Sequence, residues 1–230
     1  MRYLIVNGDD FGASRGINRG ILEAYRRGIL TSASLMVDRP ASEEAGALGR
    51  AMPDLSLGLH ADLDDAVRQP AAHPAGCADC RSALHHQAER FCALVGWPPT
   101  HLDSHHNLHR MPWLLPLFAD LAQHYRVPLR DHSPIRCVSS FYGQWGGETH
   151  PEQVGVEGLI RLLATEVHSG VTELCCHPGY VEPDFPSSYR AEREIELRTL
   201  CHPAVREALE QQRIRLVSFR AAEALVGSDA

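Results

Sequence analysis

The chain has 230 residues, enough for one domain to bury a full core, and we expect a single domain over residues 1–230. Apolar residues make up 44% of the chain and charged residues 22%, the balance of an ordinary globular protein. The formal net charge of −7 disfavours nucleic acid and anionic membrane surfaces as partners, because both are bound by basic patches.

The amino-terminal apolar run is short and becomes polar at Asn7, so it does not predict a secretory signal. The sequence contains no apolar stretch of the length that predicts a membrane span. Its seven cysteines are an odd number scattered along the chain, which indicates reduced thiols rather than a disulfide framework. We therefore expect a cytoplasmic location.

Short β-type runs alternate with segments of helical periodicity along the chain. In chain order, the predicted elements are a strand at Tyr3–Asn7, a helix at Ser14–Arg27, a strand at Ser34–Val37, a helix at Ala41–Ala51, strands at Leu55–His60 and Thr100–Ser104, a helix at Pro112–His124, a strand at Val127–Arg130, a helix at Val154–His168, a strand at Thr172–Cys176, a helix at Arg190–Leu209 broken at Pro203, a strand at Ile214–Ser218 and a helix at Ala221–Val226.

This repeated βα order predicts an α/β fold with a parallel sheet covered by helices. Seven strands without a glycine-rich dinucleotide motif favour a closed or nearly closed barrel over an open, doubly wound sheet. In either arrangement, the functional site is expected at the carboxyl ends of the strands.

Two segments, Asp62–Ala78 and Asp131–Pro151, are predicted loops. The second contains Phe141, Tyr142 and Trp145 among several glycines. Exposed aromatic side chains in such a loop would suit the face of a sugar ring. A crossover loop with buried aromatic residues explains the pattern equally well.

Ionisable residues concentrate at the carboxyl ends of four predicted strands. They are Asp9 and Asp10 after the first strand, His60 at the end of the third, His105, His106 and His109 after the fourth, and His177 after the sixth. Parallel strands bring such residues to one edge of a sheet, so we expect a single site there.

The adjacent carboxylates of Asp9 and Asp10 repel each other unless a cation lies nearby. A helix-capping turn is the alternative explanation for this pair. Similarly, His60 and His177 could each be a structural histidine when taken alone. Four histidines within residues 101–109 are harder to explain by packing.

In the fourth predicted strand, His101, Asp103 and His105 point to one face. Asp103 can then orient a metal-binding imidazole. Two histidines and one carboxylate suit Zn²⁺ and its borderline neighbours, and Mg²⁺, which prefers oxygen ligands, is the second choice. Three protein ligands leave coordination positions open, which is typical of a catalytic metal.

On these motifs the sequence resembles the YdjC/ChbG family of carbohydrate deacetylases, which includes HpnK-like proteins. The matching residues, in the family's order and across nearly the whole chain, are Asn7-Gly8-Asp9-Asp10-Phe11-Gly12, Gly58-Leu59-His60, Thr100-His101-Leu102-Asp103-Ser104-His105-His106 with His109, Cys176-His177-Pro178-Gly179-Tyr180, Arg193-Glu194 and Leu216-Val217-Ser218-Phe219.

The resemblance implies a distorted, barrel-like deacetylase fold that removes acetyl from an N-acetylated sugar: an N-acetylglucosamine-containing oligosaccharide, a glycolipid or a glycoside. It implies one divalent metal ion, and a homodimer as one form that the chain could take. Carried over by position, the implied metal ligands are Asp10, His60 and His105, the general base is Asp9, the general acid is His177, and the supporting or substrate-contacting residues are Asp103, His109, Arg130 and Tyr180.

Three other interpretations remain open. Cys77 and Cys80, with His85 and His86, could form a small structural zinc site, although a single CxxC motif is weak. Metal-dependent phosphoester hydrolysis also uses Asp and His ligands, but it usually needs two metals or a basic phosphate clamp. Only three arginines, Arg130, Arg136 and Arg190, lie near the candidate loops and could form such a clamp, which disfavours this interpretation.

The third interpretation is a non-catalytic carbohydrate-binding protein that keeps the barrel. Asp9 and His177 disfavour it, because binding requires neither a general base nor a general acid.

Overall fold

The computed structural model describes residues 1–68, 77–182 and 187–226. In chain order its elements are β1 (Arg2–Phe11), α1 (Arg15–Arg27), β2 (Ser32–Leu35), α2 (Ser42–Arg50), β3 (Ser56–Ala61), α3 (Asp64–Arg68), α4 (Cys77–Val95), β4 (Leu102–Ser104), a 3₁₀ helix (His105–Arg110), α5 (Leu115–Tyr125), β5 (Arg136–Val138), β6 (Gln144–Trp145), β7 (Glu148–Thr149), α6 (Pro151–Val154), α7 (Val156–Glu166), β8 (Gly170–Cys176), α8 (Ala191–Leu200), α9 (Pro203–Gln211), β9 (Ile214–Leu216) and α10 (Phe219–Val226).

Within the described residues, seven strands form one sheet in the order β4-β3-β2-β1-β8-β5, and β9 also pairs with the start of β1. Every pairing in this sheet is parallel. The prediction of an α/β fold with about seven parallel strands is therefore confirmed. The two-residue strands β6 and β7 form a separate antiparallel hairpin.

The sheet is curved, and one arginine demonstrates the curvature. Arg130 makes ion pairs with Asp103 on β4 and with Glu173 on β8, although β3, β2 and β1 lie between those strands in the sheet order. Leu129, just before this arginine, forms an isolated parallel bridge with Leu102. The sheet thus curves into a half-barrel, a more open form of the barrel-like arrangement that the sequence predicted.

The two faces of the sheet differ in polarity. Leu4 and Val6 on β1 point outward into the main hydrophobic core, where they are joined by Ile17 and Ile21 of α1. The inner face carries buried polar side chains instead, namely Asn7, Asp9, Ser32, Ser34, Ser56, His60, His101, Asp103, Arg130 and Glu173. Because buried polar groups need partners, this interior is organised by hydrogen bonds and ion pairs.

Helix α1 follows its predicted limits and packs closely on the loop after β8. The Ser14 side chain caps the helix by accepting a hydrogen bond from the backbone N–H of Ile17. A Cβ atom added at Gly20 would lie only 2.5 Å from Cα of Gly179. The missing side chain at Gly20 therefore lets α1 support the loop that begins at His177.

Several predicted elements differ from the structure. The sequence predicted no helix between the third and fourth strands, where the 19-residue α4 lies. The strand predicted at Val127–Arg130 was wrong, since it contributes only the bridge at Leu129. The actual strand, β5, lies inside the segment Asp131–Pro151, which was predicted to be a loop. β5 is only three residues long, and its pairing with β8 holds it extended. The break predicted at Pro203 is confirmed, because this residue begins α9.

The predicted loop Asp62–Ala78 lies partly outside the described residues, and its described portion includes α3. Among the helices that the structure describes, none has both the length and the apolar character needed to cross a membrane.

Candidate active site

The first strand ends in an uncommon backbone conformation that turns a carboxylate into the site. Asp10 has a φ angle of 68°, in the left-handed region that non-glycine residues seldom occupy. Gly12 follows with a φ of 93°, and a Cβ atom there would lie 2.7 Å from the carbonyl oxygen of Met36. The turn thus requires a glycine, and it holds Asp10 in a conformation often found at functional sites.

Asp10, His60 and His105 converge at the carboxyl end of the sheet. The distances from Asp10 Oδ1 to His60 Nε2 and to His105 Nδ1 are both 3.4 Å. One potential ligand atom from each residue lies within 4.8 Å of the others. Two ligands about 2.1 Å from a tetrahedral Zn²⁺ lie about 3.4 Å apart, so this spacing fits a shared cation.

The hydrogen bonding of this cluster also fits a cation. Among the described residues, the buried atom Asp10 Oδ1 has no hydrogen-bond partner. His60 Nδ1 lies 2.7 Å from Asp103 Oδ1 and donates its proton there, since the carboxylate can only accept. Burial would lower the pKa of His60, but the carboxylates of Asp103, Asp9 and Asp10 outweigh it and raise the pKa well above its usual value, so without a metal Nε2 also carries a proton toward Asp10 Oδ1. A bound cation would replace that proton between the two atoms.

Asp103 is the support that the sequence predicted for a ligating imidazole. It is fully buried and accepts a hydrogen bond of 2.6 Å from the Ser34 hydroxyl. Burial would raise the pKa of Asp103, but Arg130 and His60 outweigh that effect and hold the pKa well below its usual range. Asp103 therefore stays ionised and fixes the orientation of His60.

The other oxygen of Asp10 is paired with a guanidinium from α8. Arg193 Nη2 donates to Asp10 Oδ2 over 2.5 Å. Burial opposes ionisation of Asp10, but Arg193 and the imidazoles of His105 and His60 hold its pKa well below the usual value. Asp10 is thus an ionised carboxylate with one oxygen engaged and one available.

Arg130 occupies the centre of the barrel and binds three carboxylates. It donates two hydrogen bonds of 2.8 Å to the two oxygens of Asp9. The same guanidinium lies 2.7 Å from both Asp103 Oδ2 and Glu173 Oε1. Asp9 Oδ1 also accepts a hydrogen bond from the Asn7 amide. Asp9 is thereby held rigidly beside the candidate metal ligands.

The charges of this interior leave room for a divalent cation. With His60 in the neutral form that binds a metal, two guanidiniums face four carboxylates, so full ionisation leaves two negative charges uncompensated. Burial raises the pKa of Glu173 to about 7, whereas the pKa values of Asp10 and Asp103 are lowered, so Glu173 is the most easily protonated of these three carboxylates. A cation held by Asp10, His60 and His105 would balance the cluster.

His177 faces Asp9 from the end of β8. Its Nε2 atom lies 4.0 Å from Asp9 Oδ2. Burial lowers the pKa of His177 to about 4, despite the nearby carboxylates of Asp9 and Asp10. His177 is therefore neutral near pH 7 in the free protein, although the family resemblance implies the role of general acid for it. A proton must reach this ring before it can be donated.

Glu196 and Tyr189 hold the His177 segment in place. Glu196 Oε2 accepts a hydrogen bond of 2.5 Å from the backbone N–H of His177, and Oε1 accepts one from the Tyr189 hydroxyl. His177 Nδ1 lies 4.0 Å from Glu196 Oε1 and has no hydrogen-bond partner among the described residues. Burial raises the pKa of Glu196 to about 8.

Aromatic side chains flank His177 at the entrance of the site. Tyr142 stacks on Tyr189 with ring centroids 4.5 Å apart, and both rings meet His177 edge-on. Tyr142 is 37% exposed and Trp145 is 50% exposed, whereas Phe141 is fully buried. Both explanations of this loop therefore hold in part, since one aromatic residue packs in the core and two face solvent.

Two predicted supporting residues lie apart from the candidate ligands. His109 is buried, and its Nδ1 is 2.7 Å from the Ser104 hydroxyl, so it supports the turn that carries His105. The Tyr180 hydroxyl donates to Glu23 on the outer side of α1. The position of Tyr180 therefore gives no support to the expected role in the site.

The alternative zinc site finds no support in the described residues. Cys80 is buried in the core, whereas His85 and His86 are exposed on the same helix, so they face different surroundings. The side chain of Cys77 lies outside the described residues. His106, at the rim of the main site, is paired with Asp64 at 2.8 Å.

Sequence reasoning did not assign roles to several residues that complete the site. They are Ser34, Glu173, Tyr189, Arg193 and Glu196. A signal existed for Glu173, because a lone carboxylate inside an otherwise apolar strand needs a buried partner.

The chain was compared with known families and proteins. A family model described as "YdjC-like protein" matches residues 3–211. A carbohydrate deacetylase from Geobacillus stearothermophilus is 35% identical over 243 residues, which cover 95% of this chain and 97% of the relative. A chitooligosaccharide deacetylase from Serratia marcescens is 31% identical, with 95% and 98% coverage.

Solved structures agree with the fold. A protein from Enterococcus faecalis V583 superposes with a TM-score of 0.82 at 25% identity, over 98% of this chain and 99% of that one. A family 4 carbohydrate esterase from Streptomyces lividans, solved with acetate, gives a TM-score of 0.59 at 13% identity, with 96% and 95% coverage, and shares the fold. With a family match over most of its length and relatives above 30% identity, the chain belongs to the family of YdjC-like proteins.

Proposed function

We propose that this protein is a metal-dependent hydrolase that removes acetyl from the amide nitrogen of an N-acetylated sugar. The observation that carries the proposal is the buried, unpartnered oxygen of Asp10 facing His60 and His105, with Asp9 and His177 beside it. Relatives named carbohydrate deacetylase and chitooligosaccharide deacetylase support the substrate class.

Asp10, His60 and His105 would hold the cation through one oxygen and two imidazole nitrogens. This donor set favours Zn²⁺, and Mg²⁺ is the second choice because it prefers oxygen ligands. A cation bound there would polarise the acetyl carbonyl and lower the pKa of a water molecule. The 26% exposure of the His105 side chain leaves one side of the cluster open to a substrate.

Asp9 would accept the proton of the attacking water. Both of its oxygens are held by Arg130, which fixes the carboxylate in one orientation. Asp9 Oδ2 also faces His177 Nε2 at 4.0 Å. A substrate between these two groups would have a proton acceptor on one side and an imidazole on the other.

His177 would protonate the departing amine, a very poor leaving group without a proton. Because its pKa is about 4, the ring is neutral when the substrate arrives. It would take up at Nε2 the proton that Asp9 Oδ2, 4.0 Å away, has accepted from the attacking water, and pass it to the amine. Glu196, through the backbone N–H of His177, would keep the ring in position.

Exposed aromatic residues at the entrance would bind the sugar. Tyr142 presents a partly exposed ring beside His177. Aromatic faces pack well against the apolar C–H surface of a pyranose ring, so this position would seat the acetylated unit next to the catalytic groups. Trp145, which is stacked on His150, offers a second exposed ring on the same loop.

Phosphoester hydrolysis is less well supported. Arg130 is buried and fully engaged with three carboxylates, so it cannot clamp a phosphate. Arg136 is bound to the backbone carbonyl of Glu166, and Arg190 to that of Glu182. The three arginines near the candidate loops are therefore already engaged, which further disfavours a phosphate clamp.

The direct test is acetate release from a panel of N-acetylated glucosamine oligosaccharides, glycolipids and glycosides. We expect release by the Zn²⁺-loaded protein, loss after treatment with a chelator, and recovery when Zn²⁺ is restored. Release of phosphate from phosphoesters without release of acetate would favour the alternative hydrolase. Sugar binding without any acetate would favour a binding protein.

The Asp9→Asn variant separates the base from the metal ligands. Loss of the proton acceptor should lower kcat by at least about 10²-fold. The bound metal, measured by elemental analysis, should stay at the wild-type level because Asp9 is not a ligand. An Asp9→Asn protein with wild-type kcat would refute the assigned role.

A further inference from the structure

A second group of metal-binding side chains lies inside the barrel, between β5 and β8. Cys137 Sγ and Cys175 Sγ are 3.2 Å apart, and Cys175 Sγ is 3.7 Å from Glu173 Oε1. One potential ligand atom from each of the three residues lies within 4.8 Å of the others. The strand register explains the grouping, because Cys137 pairs with Glu173, and Cys175 follows two residues later on the same face.

The donor set differs from that of the Asp10 cluster. Two sulfurs and one carboxylate select soft or borderline cations such as Cd²⁺ and Zn²⁺ over Mg²⁺. Ligands of a tetrahedral Zn²⁺ would be about 3.8 Å apart for two sulfurs and about 3.6 Å for sulfur and oxygen. The thiols therefore need to separate by only about half an ångström, while Cys175 and Glu173 already have the right spacing.

The hydrogen bond with Cys137 and burial raise the pKa of Cys175 well above its usual value, so this cysteine is a thiol in the free protein and a bound cation must displace its proton. Arg130 donates two hydrogen bonds to Glu173 Oε1, which places a positive charge next to the group. Cys175 is buried, whereas Cys137 is only partly buried and lies on the edge strand β5, so solvent can reach one ligand. A cation could thus enter beside Cys137 without unfolding the sheet.

We propose that Cys137, Cys175 and Glu173 form a second site for a thiophilic divalent cation, separate from the Asp10 cluster. Binding forms two metal–sulfur bonds and releases the two thiol protons to solvent. The cation competes with Arg130 for Glu173, so it loosens the guanidinium that orients Asp9. The expected effect of this cation on turnover rests on the proposed function, whereas the binding of the cation does not.

The test is a Cd²⁺ titration of the full-length, metal-free protein, kept reduced with a phosphine. Cadmium thiolates absorb in the ultraviolet, whereas Cd²⁺ at the sulfur-free Asp10 cluster gives no such band, and the Cys→Ser variants identify which thiols produce the signal. We expect the band in the wild type and its loss in Cys137→Ser and Cys175→Ser.

Cys201→Ser is the matched control, because Cys201 is also partly buried and its thiol donates to the backbone carbonyl of Glu23. This variant should keep the wild-type band. A wild type without the band, or equal bands in all three variants, would overturn the proposal. If acetate release is absent but the band behaves as expected, the proposed function fails and the cation site stands.

In an active enzyme, Cd²⁺ should lower kcat severalfold in the wild type and in Cys201→Ser, but not in Cys137→Ser. Equal inhibition of all three proteins would show that Cd²⁺ acts at the Asp10 cluster, and it would contradict the link through Glu173 and Arg130.

Discussion

At the scale of single residues, the site depends on pairs in which one group fixes the other. Asp103 fixes the tautomer of His60, and Arg130 fixes both oxygens of Asp9. Each of these partners is buried, so removing one would leave an uncompensated charge or polar group in the interior. Asp10 Oδ1 has no hydrogen-bond partner in the part of the chain that the structure describes, and its position opposite His60 and His105 is what supports a bound cation.

The Glu196–His177 pair leads to a test of positioning. In Glu196→Gln, only one side-chain oxygen remains to accept hydrogen bonds from the His177 backbone N–H and the Tyr189 hydroxyl. We expect kcat to fall roughly tenfold, equivalent to about 1.4 kcal/mol, with a smaller change in KM. Steady-state kinetics of acetate release would measure both parameters.

Tyr189→Phe is the matched control for that variant. It removes one hydroxyl donor but keeps the ring beside His177, so its effect on kcat should be smaller. A change confined to KM in Glu196→Gln, or a wild-type kcat, would mean that Glu196 does not position the imidazole.

At the scale of elements, the contact between α1 and the loop after β8 sets the position of His177. In Gly20→Ala the new methyl group would meet Cα of Gly179 at 2.5 Å. Such overpacking should lower the free energy of unfolding by about 1–3 kcal/mol, and it should lower kcat because His177 shifts. Urea denaturation and acetate release would measure the two effects.

Arg27→Ala, at the exposed end of the same helix, is the control. Its ion pair with Glu23 lies at the surface and should contribute less than about 1 kcal/mol. If Gly20→Ala is as stable and as active as Arg27→Ala, then close packing at Gly20 does not position the loop.

Elements with strong local signals were predicted well from sequence. The cap at Ser14 located α1, and the proline at 203 located the break between α8 and α9. By contrast, α4 has a weakly amphipathic pattern, and β5 is only three residues long and depends on its pairing with β8. Such tertiary contacts override local propensity, so these elements could not be predicted from local patterns.

At the level of the whole fold, the roles that could not be predicted from sequence belong to residues of the polar interior. Residues with chemical motifs, such as Asp10 and His105, were predicted because they follow strands. The partners Glu173 and Glu196 come from β8 and α8, and only the curvature of the sheet and the packing of α8 bring them to the site. Their roles depend on contacts between residues far apart in sequence.

The polar interior also makes stability depend on pH. His101 is buried, stacked on Phe219 and hydrogen-bonded to Ser34. Burial lowers its pKa from 6.5 to about 3, so below pH 6.5 the unfolded chain binds a proton that the folded chain does not. Between pH 6.5 and pH 5, His101 alone should therefore lower the free energy of unfolding by about 2 kcal/mol.

Glu173 and Glu196 have raised pKa values, so through them acidification raises the free energy of unfolding and partly hides the effect of His101. The test therefore compares the wild type with a variant that lacks His101. Urea denaturation of the wild type and of His101→Gln at pH 7 and pH 5 isolates the histidine. The wild type should lose about 2 kcal/mol more than the variant on acidification. The same loss in both proteins would contradict the assignment.

The proposed function depends on three side chains from separate segments binding one divalent cation. Crystals of the Zn²⁺-loaded protein, measured at wavelengths on either side of the zinc absorption edge, test it directly. We expect an anomalous difference peak within coordination distance of Asp10 Oδ1, His60 Nε2 and His105 Nδ1. A zinc-loaded crystal with no peak there would contradict the account.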